Sequence, residues 1–292
     1  MIIFRRSIIV SLVLMVFAFG AYAQATKAAK EHGSQIAKAG FKNEDEIRDK
    51  FNAWKTDADA RAWLVAMDYR LGEIESVAAA KPHGEKADVE VVVKTKSRDR
   101  KEGISIKLVS SPNGFNQIDK RWLRTYAKMW SMPKPVEDAL KLFVGETPPA
   151  GTQAASLRVD NEEQPKKNTQ PGKLRSDKRM FLDELDLDLQ RAVVGFFTAN
   201  KERIVSDLIA GNGVHSAAWI MVALKATANT RWTLKSTNTA VAFYAEGKVE
   251  ITRAGNLKIG RITMQRKGGD GGRDTAKMLQ FKINPVQLFE VK

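Results

Sequence analysis

The chain of 292 residues contains no cysteine. That excludes disulfide bonds, thiolate nucleophiles and cysteine zinc sites, and it leaves the redox compartment open. Histidine is nearly as scarce. His32, His83 and His215 are scattered, no two at metal-ligand spacing, and no HNH-type or metalloprotease motif occurs. No GxxxxGK[ST] loop is present, so neither a nucleotide-driven motor nor a nucleotide cofactor is expected. Acidic residues are in deficit: 34 Asp and Glu against 48 Lys and Arg leave a formal charge of +14. Such a balance favours a polyanionic partner, nucleic acid before membrane. With 43% hydrophobic residues the chain can bury the core of one large domain or two small ones.

The one long apolar run stands at the start. Residues 1–25 read MIIFRRSIIVSLVLMVFAFGAYAQA: Arg5 and Arg6, an apolar stretch from Ile8 to Phe19, then Ala21-Tyr22-Ala23. Basic, apolar, then small-x-small is the pattern of a secretory signal peptide, too short for a firm membrane span.

Further on, Ile47, Phe51 and Trp54 fall at helical spacing behind Asn43 and Glu44, which predicts a helix over 40–54. DVEVVV, 88–93, reads as a β-branched strand, and 95–102 as a charged turn. In GISIKLV, Ile104, Ile106 and Leu108 alternate with Ser105, Lys107 and Val109, which predicts a strand with Ser105 and Lys107 on one face. Ile118, Trp122, Tyr126 and Trp130 repeat every four residues and predict a helix with an aromatic stripe. Residues 148–178 are rich in Pro, Gln, Asn and charge and read as an exposed loop. A helix is expected over 181–210. Its DELDLDLQ run lacks the glycine and acceptor spacing of a calcium loop and suits a helix N-terminus. Short strands are expected around Trp232 and over 248–252, 258–265 and 278–283.

Asp88 opens one strand and Lys107 sits on the next, with Ser105 on its face. A hairpin of that length can bring the carboxylate beside the ammonium. Two readings are open. The pair is either a partly exposed ion pair, or the metal-holding carboxylate and the phosphate-facing cation of phosphodiester hydrolysis. In the second case a hard carboxylate holds magnesium and the lysine faces the developing negative charge.

EKADVEVVV, GISIKLVSSPNGFNQIDKRWL, LKLFVGETPP, RMFLDEL, IVSDLIAGNG and GRITMQRKGGDGGRDTAKMLQFKINP follow one another in this order. In them the chain resembles HinP-like type II restriction endonucleases, which recognise GCGC. The resemblance runs from about Gly33 to Phe289, with Ala150 to Ser176 standing out as an insertion. It implies an α/β (α+β) chain with the PD-(D/E)xK nuclease fold, a mixed central sheet flanked by helices, that cuts double-stranded DNA with Mg2+. Residues 33–292 would form one nuclease domain: a catalytic half at 33–149, an exposed loop or insertion at 150–178, and a DNA-recognition half at 179–292.

By position in the resemblance, Asp88 is the metal-ligating aspartate and Lys107 the catalytic lysine. Ser105 departs from the Glu, Asp or Gln usual at its place. It contributes through a bound water, or leaves the backbone carbonyl of Ile106 as the nearer metal ligand. Glu44 is the candidate outer or second metal ligand, with a solvated helix residue as the alternative. Phe115 is either a wedge at a base step or a buried turn anchor. Asn116 and Gln117 are candidates for base edges, and Lys120 and Arg121 for phosphates. In the second basic cluster, Gln265, Arg266, Lys267 and Arg273 are DNA-binding candidates, with a solvated hairpin tip as the alternative. Two copies on a palindromic site, or one nicking each strand in turn, both remain open. A site-specific cutter works in the cytoplasm beside a methyltransferase that protects the same sequence, which conflicts with residues 1–25. The resemblance begins near Gly33, which favours a start placed too far upstream; export and anchoring are the alternatives.

Overall fold

The structure, a computed structural model, describes residues 31, 34, 35, 38–82, 86–149, 174–213, 216–225, 230–268 and 273–291. The signal-like segment, most of the expected insertion, and all three histidines lie outside them.

Two five-stranded sheets organise the described residues. The first has the order β1-β2-β3-β5-β6: β1 (Ile74–Ala80), β2 (Val89–Thr95), β3 (Asp99–Val109), β5 (Trp219–Leu224) and β6 (Arg231–Ser236). It is mixed, because β3 and β5 run parallel and the other neighbours antiparallel. The second has the order β4-β10-β9-β8-β7: β4 (Asn116–Arg121), β7 (Val249–Ile251), β8 (Leu257–Ile259), β9 (Ile262–Arg266) and β10 (Leu279–Ile283), all antiparallel. Among the described residues, no helix is long and apolar enough to cross a membrane.

Residue alternation decides what covers each face. Val89, Val91, Val93, Ile104, Ile106 and Met221 are buried together under helix α1 (38–52) and helix α2 (Ala58–Ala66). The opposite face, with Val109, Ile220 and Val222, belongs to a second core. There it meets helices α3 (Leu123–Trp130), α4 (Lys134–Val144), α5 (Leu187–Ala199), α6 (Lys201–Ile209) and α7 (Thr237–Ala245), and the apolar face of the second sheet. Of the expected aromatic stripe, Tyr126 and Trp130 are core: they stack at 4.8 Å, and both meet Phe281 edge-on; Trp122 is half-buried at the residue before α3, under the Arg124 guanidinium.

Several boundaries differ from the sequence reading. Residues 99–102 are strand, not turn; Lys94 opposes Asp99, and Lys101 reaches Glu90 at 2.7 Å, so a charged run is tolerated on an exposed rung. Ile118 lies in β4 and the helix begins only at Leu123, because 116–121 pairs with β10. The helix over 181–210 is three pieces: a short 3-10 turn at Leu182–Glu184, then α5, capped by Asp186 accepting from Leu189 N–H at 2.7 Å, then α6 beyond a break at Asn200. The strand over 258–265 is a hairpin. Gly260, at φ +56°, turns it, and a Cβ there would sit 2.5 Å from the Tyr244 carbonyl oxygen. Strands β1 and β5 were not expected at all.

Candidate active site

β2 and β3 are antiparallel with Val89 opposite Ile104. One residue before that pair, Asp88 N–H donates to the Ile104 carbonyl at 2.9 Å, so Asp88 faces Ser105 where the ladder ends. Beyond it the β3 backbone has no strand partner on that side among the described residues. The Asp88 carboxylate takes that place: its Oδ2 accepts from Ile106 N–H at 2.6 Å and from Ser105 Oγ at 3.4 Å. Lys107 Nζ lies 3.9 Å from the same oxygen. The expected alternation produces this. Ile104 and Ile106 sink under α1 and α2, while Ser105 and Lys107 point to the other face, beside Ile220 and Val222 of β5.

In extended backbone, a residue's N–H and C=O point to the same edge. The Ile106 carbonyl therefore points, like its N–H, toward Asp88. Asp88 Oδ1 takes no hydrogen bond from the described residues, and the side chain keeps 27% of its surface open.

α1 brings a second carboxylate. Its stripe Asn43, Ile47 and Phe51 is buried at helical spacing, and Glu44 sits at that stripe's border. Glu44 Oε2 pairs with Lys81 Nζ, just past the end of β1, at 3.0 Å. Burial raises the Glu44 carboxyl above its ordinary value, and the charge of Asp88 adds to this, while Lys81 and Lys107 oppose it. Glu44 is thus within electrostatic reach of both Asp88 and Lys107. It is not a freely solvated helix residue.

Lys86 was not anticipated. Its ammonium donates to the Ile118 carbonyl at 2.7 Å and to the Leu208 carbonyl. Burial pulls it down to about 8; the nearby Lys107 acts in the same direction, and Asp119 and Asp88 oppose.

A hard cation fits this donor set. Asp88 has an oxygen with no hydrogen bond from the described residues, the Ile106 carbonyl points the same way, and Glu44 is within electrostatic reach; all are oxygen donors, as magnesium requires. Among the described residues no three Asp, Glu or His side chains form a ready cage. The fit is to an ion that retains several of its own waters.

Of the DNA-facing candidates, Phe115 is 61% exposed, which rules out the buried anchor. Gln117 is exposed as well. Asn116 is half-buried and donates to the Leu108 carbonyl at 3.0 Å, tying the loop back to β3. Arg121 is held in a two-pronged bond by Asp119, at 3.0 and 3.1 Å, and Arg266 donates to the Ala276 carbonyl at 3.0 Å. Lys267 is half-buried and Arg273 exposed; residues 269–272 between them lie outside the described residues.

The second sheet adds residues that the sequence reading missed. Leu279, Phe281 and Ile283 of β10 face the core. The alternate residues, Gln280 and Lys282, lie on the other face; Lys282 is half-buried there, whereas Gln280 is buried and its amide donates to the Arg266 and Lys267 carbonyls. Register places Lys120, Gln280 and Gln265 in one row across three strands, and Gln117, Lys282 and Thr263 in another. LQFKI carries this alternation in plain view; without knowing that β4 is a strand, nothing says what stands beside it. Lys81 and Lys86 had no local signal, since both lie outside regular elements.

The sequence profile of a family described as R.HinP1I restriction endonuclease matches residues 67–161 and 166–289, which include Asp88 and Lys107. No curated protein sequence matches the chain. Among solved structures, the chain is similar to the crystal structure of restriction endonuclease MspI in complex with its cognate DNA. The TM-score is 0.53 at 14% identity, over 82% of this chain and 87% of that one. At that identity the likeness speaks for the fold: the mixed sheet flanked by helices expected of a PD-(D/E)xK nuclease.

Proposed function

The chain belongs to the R.HinP1I restriction endonuclease family, and from that membership we propose that it hydrolyses double-stranded DNA at or near GCGC with magnesium. The observation that carries the site assignment is the meeting of Asp88, Ile106 N–H and Lys107 within 3.9 Å at the end of one ladder. Asp88, Glu44 and the Ile106 carbonyl are the oxygens that would hold the ion. When bound, it supplies Lewis-acid polarisation and a water of lowered pKa. Lys107 aims its ammonium where phosphoryl charge develops. Ile106 N–H fixes the Asp88 carboxylate in one orientation. Ser105, 1% exposed, directs its hydroxyl at Asp88.

Around buried Gln280, the row residues Lys120, Gln265, Gln117, Lys282 and Thr263 offer ammonium, amide and hydroxyl groups suited to base edges. Exposed Phe115 stands at the head of β4, as a wedge would. We treat 33–292 as one nuclease unit, because Val109, Leu140 and Phe281 share a core. We expect it in the cytoplasm with a methyltransferase partner, and one or two copies acting on the palindrome. Purified protein with plasmid and magnesium should yield discrete fragments whose ends map to GCGC, and none with a chelator. Random nicking, or intact plasmid in every divalent metal, would refute it.

One observation favours a second reading. The Ser105 hydroxyl faces Asp88, so it offers less to a cation than a carboxylate or carboxamide would. A relative that grips DNA without cutting would show salt-sensitive duplex binding and no hydrolysis.

Glu44 sets an expectation for pH. Its carboxyl is raised, so on acidification it takes up a proton before an ordinary glutamate would, and it then stops offering a charged oxygen. Cleavage at fixed, subsaturating magnesium should fall on the acid side. Added magnesium should move that limb to lower pH, by competition with the proton. A Glu44→Gln variant should need more magnesium and lose that limb; an unchanged profile would remove Glu44 from the site.

A further inference from the structure

Lys86 stands two residues before Asp88, and the mechanism above gives it no task. Its stem packs against the bend after α6: a Cβ on Gly211, at φ +73°, would lie 2.7 Å from Lys86 Cβ and 2.8 Å from Cγ. Its ammonium joins two carbonyls from different elements. Leu208, in the last turn of α6, is one of the helix-end carbonyls that the helix itself leaves without a partner. Ile118 is the irregular residue of β4. Phe281 pairs with Asp119 and Lys282 with Gln117, so Ile118 is skipped by the β4–β10 register. Lys86 takes up the carbonyl of that bulge at 2.7 Å.

A half-buried ammonium bonded to two backbone carbonyls, with no carboxylate in contact among the described residues, is a costly way to tie backbone together. Its position gives it a use. β4 is the edge of the second sheet and begins immediately after exposed Phe115. The loop before β4 is also continuous with β3, so its position reaches Lys107 along the backbone. Lys86 extends the same link to the strand of Asp88. Both halves of the catalytic pair are thereby referenced to one DNA-facing segment.

We propose that Lys86 is a positioning residue that couples the seating of β4 on DNA to the placement of the Asp88 carboxylate; this rests on the nuclease reading above. The test is a double-mutant cycle on single-turnover cleavage of a GCGC duplex, using full-length wild type, Lys86→Met, Phe115→Ala and the double variant, with duplex affinity and thermal melting measured alongside. Lys86→Met should keep wild-type affinity within about threefold and cut about a hundredfold more slowly, as for a small displacement of a reacting group. Phe115→Ala should also slow cutting, and the double variant should be no slower than Lys86→Met alone. Slowing that multiplies in the double variant overturns the coupling, as does wild-type cutting by Lys86→Met. If Lys86→Met does not fold, Lys86→Gln, which keeps N–H donors, replaces it in the cycle; if neither folds, the residue serves the fold alone and the proposal fails. Wild-type protein that cuts no duplex would instead refute the nuclease reading, and the coupling with it.

Discussion

Asp88→Asn should cut DNA about a thousandfold more slowly than wild type, while binding the same duplex at least as tightly. The substitution preserves shape. An asparagine oxygen can still accept from Ile106 N–H, which Asp88 Oδ2 does at 2.6 Å. Only the charge is lost, and with it the anionic oxygen a hard cation selects. Removing a negative charge next to a phosphate also relieves repulsion, so affinity should hold or rise. Lys107→Met should show the same separation of cutting from binding. The two sites act as one unit, so the double variant should be hardly worse than either single one. Unfolding does not account for such losses. The pair is separated by 3.9 Å and Asp88 keeps 27% exposure, which places it among ion pairs contributing under about 1 kcal/mol. Single-turnover rates with melting curves on the same samples check this. A rate within tenfold of wild type for Asp88→Asn would remove it from the chemistry.

Much of this geometry was legible in the residues themselves. Alternation in GISIKLV correctly put Lys107 and Ser105 on one face, and hairpin spacing brought Asp88 within 3.9 Å of Lys107. What escaped were features that depend on distant chain. Apolar WIMVAL of β5 lies beside β3, and no local pattern announces a parallel neighbour from across a long connection. NQIDKR of β4 was read into a helix because Ile118 fits the four-residue repeat of Trp122, Tyr126 and Trp130; its pairing with β10 overrode that periodicity. The hydrogen bond from Ile106 N–H to Asp88 arises because the ladder stops one residue short, a fact of register that composition does not carry. Lys81 and Lys86 reach the site from irregular segments, where sequence pattern has least to say.

A buried carboxylate at the opposite end of the same strand should behave in the reverse manner. Glu102 is 2% exposed, yet every direction around it is answered. Tyr69 O–H donates to Oε1 at 2.7 Å, Trp219 Nε1–H to Oε2 at 2.8 Å, and Arg100 lies 3.1 Å from Oε1. Through these bonds Glu102 fastens the segment after α2 and the start of β5 to β3. Burial holds the Tyr69 hydroxyl well above its ordinary value, and the Glu102 carboxylate adds to this, so the phenol remains a donor at any pH the protein meets. Glu102→Ala would strand two buried donors, at about 1–3 kcal/mol each, and leave a cavity besides. A loss of about 4 kcal/mol follows, or roughly 10 °C in melting temperature for a domain of this size. Glu102→Gln should lose less, since its carbonyl oxygen still serves one donor. Lys107 stands five residues along β3 from Glu102, roughly 17 Å at strand spacing. Protein kept well below its melting point should therefore cut DNA near the wild-type rate. Thermal melting of both variants, with cleavage rates at low temperature, separates this scaffold role from the catalytic one. A Glu102→Ala variant that melts like wild type would show that the three bonds contribute nothing net, and one that folds but fails to cut would place Glu102 in the working site.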